Sequence, residues 1–172
     1  MLELINKFIL SKNLQFERGE IKLLGTNICL IPPEVYLEFL KELQKSNLEE
    51  ILYESSFKSG VGWFETISKS TGKTDKKELI EFIPKILDLL ALGEIKIIDF
   101  NFEKKKATAI LKNSLNAELY GTSKVPVDLQ FCGYLAGAFT VIFSSKVKCK
   151  EVKCKAMGED FCEFTIWGDE NV

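Results

Sequence analysis

Histidine is missing from all 172 residues. That absence removes Ser-His-Asp and Cys-His nucleophilic devices, the HExxH zinc site and proximal haem ligation, because each needs an imidazole. No apolar run reaches the roughly 18 to 20 residues needed to cross a bilayer, so no membrane span is expected. The start, MLELINKFILSKNLQF, has only a short apolar stretch, an early Glu3 and no small-residue cleavage site. A signal peptide is therefore not expected, and a cytoplasmic location is. Basic charge is not in surplus: 23 Lys and Arg face 25 Asp and Glu, a net charge of −2. Nucleic acid is an unsuitable partner for such a balance. The lysines at 104–106 and along 146–155 read as solvated turn and strand-edge charge. A GxGxxG dinucleotide fingerprint is lacking too, as are internal repeats and low-complexity linkers. One α+β domain over residues 1–172 is the expectation, with an N-terminal hairpin and helices in 1–93 and strands, a central helix and a Cys-rich hairpin in 94–172.

What is present follows that plan. Leu14–Phe16 and Ile21–Leu24 read as a hairpin around Arg18-Gly19, and Gly25-Thr26-Asn27 as a turn into a strand at Ile28–Ile31. Pro33 suits the first turn of a helix to about Gln44, with Val35, Leu37, Phe39, Leu40 and Leu43 as its apolar positions. Asn47 with Glu50 predicts a capped helix over 48–70, in which Gly60 and Gly62 imply close packing of another backbone or a kink beside a cavity. Thr74-Asp75 predicts a cap for a helix over 76–92, bent near Pro84 and ended by Gly93. Strands are predicted around 95–102, 107–111 and 115–120, then a largely apolar, central helix from Asp128 to about Ser144. Strands at 147–154 and 161–167 close the chain.

Those last two strands carry the densest chemistry. Cys149, Glu151, Cys154 and Cys162 fall within fourteen residues. In a regular strand Glu151 and Cys154 would face opposite sides. A bulge near Glu151 and Val152 would turn the carboxylate toward the side of Cys154, and the 155–160 turn would return Cys162 beside it. Thiolate and carboxylate donors suit zinc, which takes four. Asp128 and Cys132, one turn apart on the preceding helix, are both candidates for the fourth position. Inert buried thiols and a regulatory Cys154–Cys162 disulfide are the competing readings, the last disfavoured in a reducing compartment.

The segment from Pro126 to Ile166, with GYLAG at 133–137, EVKC at 151–154 and KAMGEDFCEF at 155–164, resembles the 4-vinyl reductase domain family. ERGEIKLLG at 17–25, followed by IPPEV and a helix, resembles the amino-terminal part of archaeal-type, stand-alone members. The resemblance implies helices packed on an antiparallel sheet, the fold of nitric-oxide sensor domains and Golgi transport-complex subunits, with an apolar cavity between the layers. It also implies a homodimer and a structural zinc held by Glu-x-x-Cys, a Cys eight residues on, and a cysteine five residues before the GY. Glu151, Cys154 and Cys162 match; the fourth place holds Asp128, the main departure from the pattern.

The family is named for a member linked to vinyl reduction in the bacteriochlorophyll pathway, and supplies sensor domains of aromatic-responsive transcription activators. For this chain the expectation is a non-enzymatic sensor domain that binds a small hydrophobic or aromatic ligand and signals through a protein partner. Trp63, Phe64, Phe100 and Phe102 are its expected lining, in a cavity between the 128–144 helix, the helix with Gly60 and Gly62, and the sheet. A tetrapyrrole-related reductase or accessory factor and a ligand-free dimerisation scaffold are the alternatives. The reductase finds no acid–base pair in the sequence.

Overall fold

Helix α1 (Leu2–Leu10) opens the chain in the computed structural model, which describes residues 2–72 and 75–168. An antiparallel meander follows, made of β1 (Leu14–Glu17), β2 (Glu20–Leu23) and β3 (Thr26–Ile28). The hairpin at Arg18-Gly19 is where the sequence puts it. The second turn is tighter than expected. Leu24 and Gly25 take φ 51° and 81°, the two positive values of a hairpin turn whose twist matches its strands. As a result β3 starts at Thr26 and stops short of residues 29–31, which lie outside it.

Pro33 begins α2 (Pro33–Lys45), where its missing N–H costs nothing. Leu37 and Leu40 are its buried residues, whereas Val35 and Phe39 are 61% and 53% exposed. Next comes α3 (Glu50–Thr71), preceded by Glu49 rather than by the expected Asn47 cap. Asn47 instead takes φ 53° in the linker. Asp75 caps α4 (Lys76–Ile80) by accepting the Lys77 N–H at 2.9 Å; Thr74, the other expected cap residue, lies outside the described residues. The helix expected over 76–92 is broken, because α4 ends at Ile80 and α5 (Phe82–Leu89) starts two residues on. Pro84 accounts for the break: it offers no N–H to the Ile80 carbonyl, and its ring crowds that oxygen.

The second half forms a four-stranded antiparallel sheet from β4 (Glu94–Asn101), β5 (Lys106–Lys112), β6 (Val147–Lys153) and β7 (Cys162–Gly168), in the order β4-β5-β7-β6. Between β5 and β6 lie α6 (Leu115–Tyr120) and α7 (Leu129–Phe143). The expectation of a strand at 115–120 is corrected by α6. Ser114 Oγ accepts the Ala117 N–H at 3.2 Å, a serine cap that starts a helix where a six-residue apolar alternation alone reads equally as strand.

Helix α7 lies between two layers. Ten of its fifteen residues are buried. On one side it crosses α3 with backbones in contact: a Cβ at Gly133 or Gly137 would overlap the Tyr53 or Phe57 carbonyl, and one at Gly60 would overlap the Tyr134 carbonyl. Gly60 thus has the close-packing role expected of it. Gly62 faces open space. On its other side α7 covers the sheet, where Phe100 stacks on Phe143 with centroids 5.3 Å apart and Phe131 meets Phe164 at 6.3 Å. Rings and aliphatic side chains from both halves, from Phe8 and Leu23 to Phe64, Phe139 and Phe164, join one cluster. Helices on antiparallel sheets give the α+β class read from the sequence. Among the described residues no helix is long and apolar enough to cross a membrane.

Candidate functional site

The cysteine-rich hairpin owes its shape to one irregularity. Along β6, Val147, Cys149 and Glu151 point inward and the lysines between them outward. The ladder with β7 then slips between Glu151 and Lys153. Val152 is displaced to the surface and Cys154 returns to the buried side, as the bulge read from the sequence requires. A short 3₁₀ turn, Lys155–Met157, and Gly158 at φ 100° reverse the chain. Cys162 then starts β7 with its Sγ accepting the Lys155 N–H at 3.3 Å. Donor atoms of Glu151, Cys154 and Cys162 all lie within 4.8 Å of one another, and all three residues are buried.

Asp128 closes this cluster from the helix side. It is fully buried at the N-cap of α7, yet its carboxylate makes no cap bond. Both its oxygens accept from Ser114 Oγ, at 3.0 and 2.8 Å, and it also contacts the Cys162 thiol. Its own N–H donates to Glu151 Oε2 at 2.9 Å, while Glu151 Oε1 is buried with no partner. Cys132, the other candidate for this position, hydrogen-bonds Cys149 one turn along. The structure therefore brings Asp128 to the Cys154–Cys162 pair and Cys132 to a different thiol. Sequence reading missed Ser114, because a segment taken for a strand hides a cap residue.

Two carboxyls and two thiols in one buried place strain each other's ionisation. Burial, then the neighbouring charge of Asp128, pushes the Glu151 carboxyl up to about 9. Burial likewise raises Asp128, against the opposing hydrogen bonds from Cys162 and Ser114. The Cys162 hydrogen bond holds Cys154 below the usual thiol range, and the same bond holds Cys162 above it, so the two sulfurs share a proton. A dication would relieve all four groups at once and occupy the orphaned Glu151 oxygen. The donor set, two thiolates and two carboxylates, is one zinc accepts.

A second feature lies on the far side of α7. A cavity of about 430 Å³ opens between α3, α5, α7 and β3. Ser56, Ser59 and Trp63 line it from one face of α3, Phe131 and Tyr134 from α7, and Cys29 from the end of β3. Its size falls in the range of small-molecule sites. Among the expected lining residues, the structure places Trp63 here. Phe64 is sealed in the core behind Tyr134. Phe100 and Phe102 are on the sheet side of α7, packed on Phe143. The cavity's outer wall is accordingly β3 and α5 instead of the four-stranded sheet, because phenylalanines fill the space between α7 and that sheet. The spacing of Ser56, Ser59 and Trp63 on one helical face was a signal available in the sequence. A further hollow, of about 550 Å³ beside β6, carries Glu49, Glu50, Lys146, Lys148 and Lys150, which suits an apolar guest poorly.

Residues 109–167 match the family model of the 4-vinyl reductase domain. The whole structure is similar to the phenol-responsive sensory domain of the transcription activator PoxR, solved with phenol: 20% identity, a TM-score of 0.78, and coverage of 98% of this chain and 90% of that one. It is also similar to a vinyl-4-reductase family protein from Methanocaldococcus jannaschii, at 24% identity and a TM-score of 0.59, covering 83% of this chain and 85% of that one. A trafficking protein particle complex subunit 3 from Naegleria fowleri, covalently bound to palmitic acid, shares 13% identity with a TM-score of 0.59, covering 80% of this chain and 95% of that one. At these identities the likenesses establish the fold, and it is the one expected. Among curated proteins none matches the sequence.

Proposed function

Because the chain carries a 4-vinyl reductase domain at residues 109–167, we propose that it is a sensor domain: it binds a small, largely apolar molecule between α3, α5 and α7 and passes the event to a protein partner. The observation that carries this reading is the cavity itself, about 430 Å³, bounded by Trp63, Phe131 and Tyr134, with the exposed Cys29 at its edge. The phenol bound by the PoxR sensory domain, a protein of the same fold, supports the ligand class. A guest there touches α3 and α7 together, and these helices meet backbone to backbone through Gly60, Gly133 and Gly137. Any shift of one helix is transmitted to the other, since no side chain intervenes to absorb it. Signalling as a cytoplasmic homodimer completes the reading.

Zinc, held by Asp128, Glu151, Cys154 and Cys162, has a structural part in this proposal. When bound it supplies a fixed cross-link between the terminal hairpin and the start of α7. The orphaned Glu151 oxygen supports it, as does the lack, among the described residues, of any cationic side chain in the cluster. The chain's own residues do the rest: Ser114 orients Asp128, and the Asp128 N–H orients Glu151.

Native mass spectrometry and thermal melts of the purified protein, with phenol and other one-ring aromatics, test the sensor reading. A co-purifying small molecule, or a melting temperature that rises with added aromatic, is the expected result. A protein that arrives empty and melts unchanged in saturating aromatic would end it.

A further inference from the structure

The wall of the cavity between α3, α5 and α7 restricts the chemistry of its guest. Every side chain that lines it is apolar or uncharged; among the described residues no carboxylate, ammonium or guanidinium reaches it. A charged molecule entering would give up its hydration without meeting a counter-charge, a cost that apolar contact does not return. Acids and amines are disfavoured on that ground.

One wall residue adds a polar requirement. Tyr134 projects from α7 at the point where its backbone carbonyl lies against Gly60 of α3, so its position is set by the helix crossing. Trp63 and Phe64 hold its ring edge to face, with centroids 6.0 and 6.2 Å away. Its hydroxyl is buried and has no hydrogen-bond partner. Buried polar groups in folded proteins are nearly always paired, so an orphan at the wall of a cavity marks a place for a ligand atom. Burial also raises the hydroxyl's pKa far above that of a free tyrosine, which keeps the proton on oxygen and makes the group a donor.

Resting on the small-molecule reading above, we propose that the guest is an uncharged, one-ring-sized molecule bearing an oxygen acceptor, and that Tyr134 Oη donates to that oxygen as the specificity-determining contact. A ring ketone or a neutral phenol meets both conditions. A plain hydrocarbon of the same shape leaves the hydroxyl orphaned, and a ring carboxylate brings a charge that nothing in the wall offsets.

Cys29 supplies a local reporter, because it lines this cavity and is the exposed cysteine of the five. Alkylation by iodoacetamide, followed by intact mass, reads how far each probe protects it. Acetophenone is expected to protect at concentrations about tenfold lower than ethylbenzene, the factor one hydrogen bond to an otherwise unpaired group is worth, and benzoate not to protect. In Tyr134→Phe the two neutral probes should become equal, with ethylbenzene unchanged. The variant should melt within about 2 °C of the parent, since no protein hydrogen bond is lost. If both neutral probes protect equally in the parent protein, the proposal falls and the binding reading survives. A preference for acetophenone that persists in Tyr134→Phe overturns the assignment of Tyr134, and protection by benzoate overturns the exclusion of charge. If neither neutral probe protects Cys29, the sensor reading falls together with this one. The comparison of probes in the parent chain decides the ligand class whether or not the variant folds.

Discussion

The backbone N–H of Asp128 donates to Glu151 Oε2 at 2.9 Å, so the residue that starts α7 holds one oxygen of the carboxylate at the β6 bulge. Ser114, at the head of α6, holds the Asp128 side chain in turn. Three segments far apart in the sequence therefore meet at a single acidic point, with the Cys154–Cys162 pair beside it. The meeting is geometrically well ordered and electrostatically unfavourable. A dication changes the sign of that balance, and a partly satisfied polar cluster of this kind is otherwise a liability in a core.

Removing the metal should therefore loosen the hairpin. After dialysis against a strong chelator the melting temperature is expected to fall by about 10 °C or more, and to return on adding zinc, because metal binding is folding free energy in such a site. Cys154→Ala should melt low with or without zinc. Elemental analysis alongside the melts gives the stoichiometry, expected at one per chain. A chelated protein that melts like the untreated one would show that these residues have no structural metal.

The pH dependence of the metal-free form isolates Glu151. Its carboxyl is pushed up to about 9 in the folded chain, by burial first and by Asp128 second. A group whose folded pKa is raised contributes its stability fully below the unfolded value, near 4.5, and loses it as pH rises toward the folded one. Cys154, held low, works in the opposite direction over the same range, so the parent's slope alone is ambiguous. Comparing it with Glu151→Gln removes the ambiguity. Without metal, the variant's melting temperature should gain on the parent's steadily from about pH 5 to about pH 8. Two curves running parallel would contradict the burial of an ionising Glu151.

The hairpin was the most legible part of the sequence, and the reason is local. Strand alternation has period two, so the change of phase between Cys149 and Cys154 demanded an extra residue, and the ladder slips there. Gly60 was legible for a similar reason: a glycine inside a long helix needs compensation, and the contact with α7 provides it. The cavity wall was not. Which of Trp63, Phe64, Phe100 and Phe102 line a space depends on how α3 rotates over α7 and on the phenylalanines that fill the sheet side. Those are tertiary facts that composition and periodicity do not carry. Segment 115–120 failed differently, since six residues are too few for the two periods to separate.

The α3–α7 crossing predicts opposite outcomes for two glycine substitutions of equal helix propensity. Gly137→Ala places a methyl into the Phe57 carbonyl and the Gly60 backbone, neither of which can step aside, and should cost about 1–3 kcal/mol. Gly62→Ala meets nothing within 4 Å in the same helical setting and should gain up to about 1 kcal/mol. Urea unfolding with tryptophan fluorescence measures both. Equal effects at the two sites would mean that the backbones are not in contact.

Trp63 and Phe100, alike in the sequence as candidate lining, should separate cleanly when truncated. Trp63 lines the cavity, and its ring meets Tyr134 edge to face. Trp63→Ala should therefore weaken binding of an aromatic probe about tenfold, the worth of an aromatic contact plus the area it covers. Phe100 instead stacks on Phe143 at an interplanar angle of 9°, on the opposite side of α7. Phe100→Ala should cost about 2–3 kcal/mol of stability, short of the value for a fully buried ring, because Phe100 is half-buried. Its affinity for the probe should stay within about twofold of the parent's, since no contact with the guest is removed. Paired measurements of melting and of probe titration give both numbers on the same samples. A Phe100→Ala protein that folds normally but loses the probe would move the guest to the sheet side of α7, and a Trp63→Ala protein that binds unchanged would empty the cavity assigned to it.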